Sequence, residues 1–203
     1  MELYATDKDF ITSLEKALDD TDGNWRNYDG LIIAGTHQFE MVDEKIEKIK
    51  EARRNHRPFL GICAGMQLAA IEYVRTARGK INANSTEIDP NTDFPIIVKL
   101  NDPPEMASGL ARRVGMKPMP DLWGNMTVES HWHNYKINNE YLSLFSPDWK
   151  FVQAYDPDLG EYITEIIIYK PAIDMGSVFM GVQFHPEYQS SAKKPHWVFQ
   201  TFL

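Results

Sequence analysis

The segment Pro58-Phe59-Leu60-Gly61-Ile62-Cys63-Ala64-Gly65 restricts what the chain can fold into more than any other. Residues 58–62 read as a strand buried on both faces, as in a parallel sheet, and 64–75 read as a helix that starts directly behind Cys63. One residue is left to turn the chain between them. Gly61 and Gly65 flank it in a G-x-C-x-G pattern, the thiol counterpart of a nucleophile elbow, and glycines there permit the tight turn and leave the sulfur at its apex. Amides at the start of the helix point to this corner, where they depress a thiol pKa and where the Ala64 N–H can bind an oxyanion. A lone cysteine more often just packs in a core; the elbow brings the two readings level.

The remaining pattern alternates helix and strand. Phe10, Ile11, Leu14 and Leu18 predict an amphipathic helix over 9–18, stopped by Asp19-Asp20-Thr21-Asp22-Gly23. Residues 31–34 form a short buried strand closed by Gly35, and 42–55 a surface helix with Ile46 and Ile49 turned inward. Further strands are expected at 96–100, 126–128, 136–137, 151–152, 165–169 and 178–184, with a closing helix over 197–203. From 80 to 125 the periodicity is weak and Pro, Asn and Asp are frequent, so loops with short strands are expected. Without repeat, linker or low-complexity tract, residues 1–203 are expected to form one α/β domain.

Composition narrows the function classes. Twenty-nine acidic against 21 basic residues give a net charge of −8, which disfavours phosphate backbones and anionic lipid. No apolar run approaches the roughly 18 to 20 residues of a spanning helix, and no basic leader precedes the first helix, so a cytoplasmic location is the expectation. Cys63 is the only cysteine, which excludes an internal disulfide and leaves a metal or redox centre built on Cys63, His131 and His133 with little support. No metal or cofactor is expected.

A thiolate nucleophile needs a base. Of six histidines, His185 follows the apolar strand 178–184 and therefore sits at a strand's C-terminal edge, where open α/β sheets keep their sites. Glu187 lies two residues on, behind a stiffening Pro186, placed to orient the imidazole and stabilise its protonated form. Cys63, His185 and Glu187 make a candidate catalytic triad.

At these residues the chain resembles a family. Gly61-Ile62-Cys63-Ala64-Gly65-Met66-Gln67 and Gly181-Val182-Gln183-Phe184-His185-Pro186-Glu187 look like the two signatures of class I, triad-type glutamine amidotransferases, in the right order and separation. Within that family residues 28–203 are most similar to the glutaminase domain of CTP synthase, through Gly65-Met66-Gln67-Leu68-Ala69-Ala70-Ile71-Glu72 and Asn84-Ser85-Thr86-Glu87-Ile88-Asp89-Pro90. The resemblance implies a three-layer, flavodoxin-like α/β fold with a mostly parallel sheet and helices on both faces. It also implies Cys63 as nucleophile, His185 as general base, Glu187 as orienting acid, Gln67 and Glu87 as glutamine contacts with Glu87 at the ammonium end, and backbone near Gly35, Thr36 and Ala64 as the oxyanion side. Taken singly, Gln67 reads as a helix-packing residue and Glu87 as a solvated loop charge.

Three departures stand out against the family. The glycine-rich stretch after strand 31–34 is reduced to Gly35-Thr36-His37-Gln38, and side chains at Thr36 and Gln38 restrict backbone flipping. A segment of alternating arginines and histidines reads Glu129-Ser130-His131-Trp132-His133-Asn134-Tyr135, with Trp132 in place of the arginine that binds the glutamine α-carboxylate and with His131 and His133 read as polar loop residues. The N-terminus leaves little room for two opening strands, so these are expected shortened or missing, and 203 residues have no space for an amidoligase half. The expected function is cleavage of a γ-glutamyl amide through a γ-glutamyl thioester, releasing glutamate and ammonia for a synthetase partner. Hydrolysis of a larger γ-glutamyl conjugate and a non-catalytic regulatory role are the alternatives, and a homodimer is compatible with the sequence.

Overall fold

The computed structural model describes residues 1–36, 39–101 and 113–203. Its strands are β1 (Glu2–Tyr4), β2 (Leu31–Ile33), β3 (Phe59–Ile62), β4 (Ala83–Ser85), β5 (Phe94–Lys99), β6 (Arg113–Pro120), β7 (Met126–His133), β8 (Tyr135–Ile137), β9 (Trp149–Asp156), β10 (Glu161–Tyr169) and β11 (Phe179–Val182). The helices are α1 (Lys8–Thr21), α2 (Val42–Arg54), α3 (Ala64–Ala77), α4 (Lys170–Asp174) and α5 (Trp197–Phe202).

The main sheet has the order β1-β2-β3-β11-β10-β9. Its first four strands are parallel to their neighbours, and β10 and β9 continue it antiparallel. Alternation along each strand divides the core. Leu31, Ile33 and Phe59 face α2 and α3 through Ile46, Ile49 and Met66; Ile32, Leu60 and Ile62 face α1 and α5 through Leu14, Leu18, Val198 and Phe199. This is the expected mostly parallel sheet with helices on both faces. The edge strand β1 is present at three residues, paired with β2 from Glu2↔Leu31 to Tyr4↔Ile33.

Where the sequence shows weak periodicity, the short strands assemble into small sheets of their own. β4, β5 and β8 form one, β6 and β7 a two-stranded ribbon. The eight-residue β6 escapes the sequence reading because Gly115, Pro118 and Pro120 interrupt it, yet a strand with one unpaired edge tolerates proline, whose missing N–H is needed only for a ladder on both sides. β7 runs five residues past the expected 126–128, to His133. His131 and His133, expected in a loop, therefore lie on a strand and are buried at 1% and 5% exposure.

Close backbone packing sets the corner between β3 and α3. A Cβ added at Gly65 would lie 2.0 Å from the Ile33 carbonyl oxygen, and one at Gly61 2.6 Å from the Gly65 carbonyl carbon. Gly65→Ala is expected to destabilise the fold by roughly 3 kcal/mol or more, since backbone cannot give way as a side chain can. Gly23→Ala, with nothing within 4 Å of its added Cβ, is expected to stay within about 0.5 kcal/mol of the parent; urea unfolding of both variants measures the contrast.

Candidate active site

Cys63 occupies the corner with φ 51° and ψ −106°. A non-glycine residue at positive φ is held there only when its surroundings dictate it. Its N–H donates to the Val182 carbonyl at 2.7 Å, and its own carbonyl accepts from Gln67 N at 3.2 Å. The next residues open α3, whose first amides have no intrahelical acceptor.

Because β3 and β11 are neighbours, the chain leaving β11 returns beside this corner. There His185 is buried at 1% exposure, between Phe10 of α1 (ring centroids 5.1 Å, 11° between planes) and Tyr188 (5.4 Å, 25°). Its Nδ1 bonds Glu187 Oε1 at 2.7 Å, while Nε2 is buried with no hydrogen-bond partner. A Cβ at Gly35 would meet His185 Cε1 at 2.9 Å and Cys63 Cβ at 3.5 Å, so imidazole and cysteine pack on the same glycine. Burial alone would push the His185 pKa down, but the Glu187 carboxylate and the Cys63 sulfur outweigh it and raise the pKa to about 10. The imidazolium is thus the form the site favours at neutral pH.

A cavity of about 170 Å³ opens over the sulfur, lined by Thr36, Phe39, Cys63, Ala64, Gln67, Glu87 and four consecutive residues, Trp132 to Tyr135. The sequence expectations for Thr36, Ala64, Gln67, Glu87 and Trp132 meet here, with Gly35 packed beneath. Glu87 is solvent-exposed at the rim, yet the protein around its carboxylate desolvates it enough to raise its pKa. No lysine or arginine lines the cavity among the described residues. His37 and Gln38 of the expected oxyanion loop lie outside the described residues; Thr36 bonds Thr6 through their hydroxyls at 2.9 Å.

Three features escape the sequence reading. The Trp132 indole is 55% exposed while its carbonyl lies 4.0 Å from Cys63 Sγ. His133 bonds the Tyr135 carbonyl through Nδ1 at 2.9 Å, which puts the proton on Nδ1 and leaves Nε2 as an unpartnered buried acceptor. Burial and the neighbouring His131 hold its pKa well below the usual histidine value, so it is neutral. Gln183, fully buried, donates from Nε2 to Cys63 Sγ at 3.6 Å. The only sequence sign of this last contact is the strand parity that places residue 183 opposite the elbow.

A cysteine at a strained strand-to-helix corner, a clamped imidazole and a small polar cavity at the C-terminal edge of a parallel sheet are the equipment of a thiol-dependent acyl-transfer site. The chain belongs to the glutamine amidotransferase class-I family, whose model matches residues 9–203. It is 34% identical over 197 residues to the CTP synthases of Staphylococcus aureus strains JH9 and Newman, covering 90% of this chain and 36% of each relative. The chain thus spans about a third of the length of those relatives. Its fold is similar to that of the Trypanosoma brucei CTPS glutaminase domain with bound acivicin, with TM-score 0.83 at 20% identity over 98% of this chain and 90% of that one.

The raised pKa carries a stability consequence. An imidazole that gains protons on folding stabilises the native state fully below its unfolded value near 6.5 and loses that contribution as pH rises towards about 10. Glu187→Gln removes the largest stabilising charge, so NMR titration of the His185 ring is expected to show a lower pKa than in the parent. The stability gap between parent and variant is expected to narrow from pH 6.5 to 10; an unchanged ring pKa contradicts the role of Glu187.

Proposed function

We propose that this chain is a glutaminase that cleaves the γ-amide of glutamine and delivers ammonia to an acceptor enzyme, with residues 1–203 acting as one amidotransferase unit. The observation that carries the reading is the pairing of a strained Cys63 with an imidazole that Glu187 and the sulfur together keep protonated. The Cys63 thiolate attacks the γ-carbonyl carbon and forms a C–S bond. Amides at Ala64 and on the Gly35–Thr36 side hold the oxyanion. The His185 imidazolium gives its proton to the leaving nitrogen, the C–N bond breaks, and ammonia departs from a γ-glutamyl thioester. Neutral His185 then takes a proton from water, whose oxygen attacks the thioester; the C–S bond breaks and glutamate leaves with Cys63 again a thiolate.

Glu87 supports the orientation of this substrate. A partly desolvated carboxylate with no lysine or arginine beside it among the described cavity residues gains by meeting a cation, and the α-ammonium of glutamine supplies it. Cavity size discriminates between amide substrates. About 170 Å³ is well under the roughly 300 to 1,000 Å³ of pockets for drug-sized ligands, which favours glutamine over a bulky γ-glutamyl conjugate. The described lining offers no lysine or arginine to the α-carboxylate, and charge-assisted contacts of that kind contribute about 1.5–3 kcal/mol, so glutamine binding is expected to be weak.

Glutamate release from glutamine tests the reading, alongside labelling of Cys63 by a glutamine-like diazo-ketone. Cys63→Ala is expected to abolish both. Absence of turnover and of labelling in the folded parent would overturn the reading in favour of a regulatory role, and turnover confined to γ-glutamyl conjugates would reassign the leaving amine. Trp132→Arg, which returns a cation to the cavity, is expected to lower the glutamine KM roughly ten- to a hundred-fold, the equivalent of one charge-assisted hydrogen bond.

A further inference from the structure

The buried amides of Gln67 and Gln183 form a chain that ends on the reacting sulfur, and a backbone carbonyl fixes its direction. Gln67 Nε2 lies 3.2 Å from the Tyr135 carbonyl oxygen and 3.2 Å from Gln183 Oε1. A carbonyl oxygen only accepts, so the Gln67 group there must be its NH2. That NH2 in turn demands an oxygen from Gln183, which leaves the Gln183 NH2 as the group 3.6 Å from Cys63 Sγ, a normal separation for the large sulfur atom. Reversing Gln67 would set acceptor against acceptor, and reversing Gln183 donor against donor, in a site closed to solvent: Gln67 is 3% exposed and Gln183 0%. The Gln183 backbone is pinned as well, its N–H donating to the Glu165 carbonyl at 2.8 Å.

We infer that Gln183 is a further catalytic residue, a fixed N–H donor that holds Cys63 as the thiolate. A donor aimed at sulfur stabilises the anion more than the neutral thiol. The Trp132 carbonyl, 4.0 Å from Sγ, works in the opposite sense, because it can only accept and so favours the protonated thiol. Around the sulfur the titratable groups are His185 with Glu187 behind it, neutral His133 from β7, Tyr188 stacked on the imidazole with Asp7 and Asp9 of the α1 start nearby, and Glu87 on the cavity rim. His185 supplies a mobile positive charge that must leave as a proton when ammonia departs. Gln183 supplies a dipole that never titrates, so it stabilises the sulfur both as nucleophile in the first half-reaction and as leaving group in the second.

This inference rests on the proposed amidohydrolase chemistry, and its test reads the sulfur directly. The rate of Cys63 alkylation by iodoacetamide is followed by intact mass from about pH 5 to about pH 10, against the ordinary cysteine pKa of about 8.5. Gln183→Leu, which keeps the volume and removes the donor, is expected to shift the half-rate pH up by about one unit, to alkylate roughly tenfold more slowly near neutrality, and to lower kcat with KM little changed. Gln183→Glu is expected to shift it further, because a carboxylate has no N–H to offer and adds a like charge. Gln67→Leu, which frees the Gln183 amide to rotate, is expected to give a smaller shift in the same direction. A Gln183→Leu profile that superimposes on the parent overturns the inference; if that variant does not fold, the Gln183→Glu profile decides in the same way. Failure of the amidohydrolase reading shows separately, as a parent that neither releases glutamate nor takes the diazo-ketone label.

Discussion

Backbone meets backbone at the Cys63 corner with no space for side chains between. Gly65 lies against the Ile33 carbonyl of β2, and Gly61 against Gly65, so β2, β3 and the start of α3 are closer together than any Cβ would allow. This contact pushes Cys63 to positive φ, a conformation that costs on the order of 1–3 kcal/mol outside glycine, and the bond from Cys63 N to the Val182 carbonyl keeps it there. Sheet order does the rest. With β2, β3 and β11 adjacent and parallel, their C-terminal ends deliver Gly35, Cys63 and His185 to one edge, from three stretches far apart in the chain.

A second constraint fixes the wall of the site. Arg113 of β6 is fully buried with Asp156 of β9 at 2.8 Å and Glu165 of β10, and Glu165 also bonds His131 Nε2 at 2.9 Å. Further along β7, Glu129 accepts from His196 Nε2 at 2.9 Å and Trp197 Nε1 at 3.1 Å. Breaking a buried pair leaves an uncompensated charge at a cost of about 3–5 kcal/mol, so these partners forbid a one-residue slip of the ribbon. Odd-numbered positions of β7 face inward as a result, while Val114, Met116, Met126, Val128 and Trp132 are exposed. The locked register also supplies the carbonyl of Ser130 to His185 N at 2.8 Å and that of Trp132 to the sulfur.

The sequence disclosed what depends on local pattern and concealed what depends on pairing. The buried strands around Leu31, Leu60 and Met180, the helix behind Cys63 and the edge position of His185 are legible because apolar runs, glycines and their spacing act within a few residues. β6 and the inward face of β7 are not legible, since Arg113, Glu129 and His131 are polar residues buried only because their partners come from β9, β10 and the C-terminal helix. Periodicity rules expect such residues in water. Gln183 was hidden for a related reason. Its signal is one of parity carried one residue past β11, a strand whose residues are all buried, and parity acquires meaning only when the neighbouring strand is known.

Charge separation along the cavity gives the site its direction. The imidazolium of His185 lies buried behind the sulfur, and Glu87 stands at the rim with polar and aromatic groups between them. A molecule that carries a cation at one end and a neutral amide at the other is drawn in amide first, because its positive end is repelled from the imidazolium and attracted to the carboxylate.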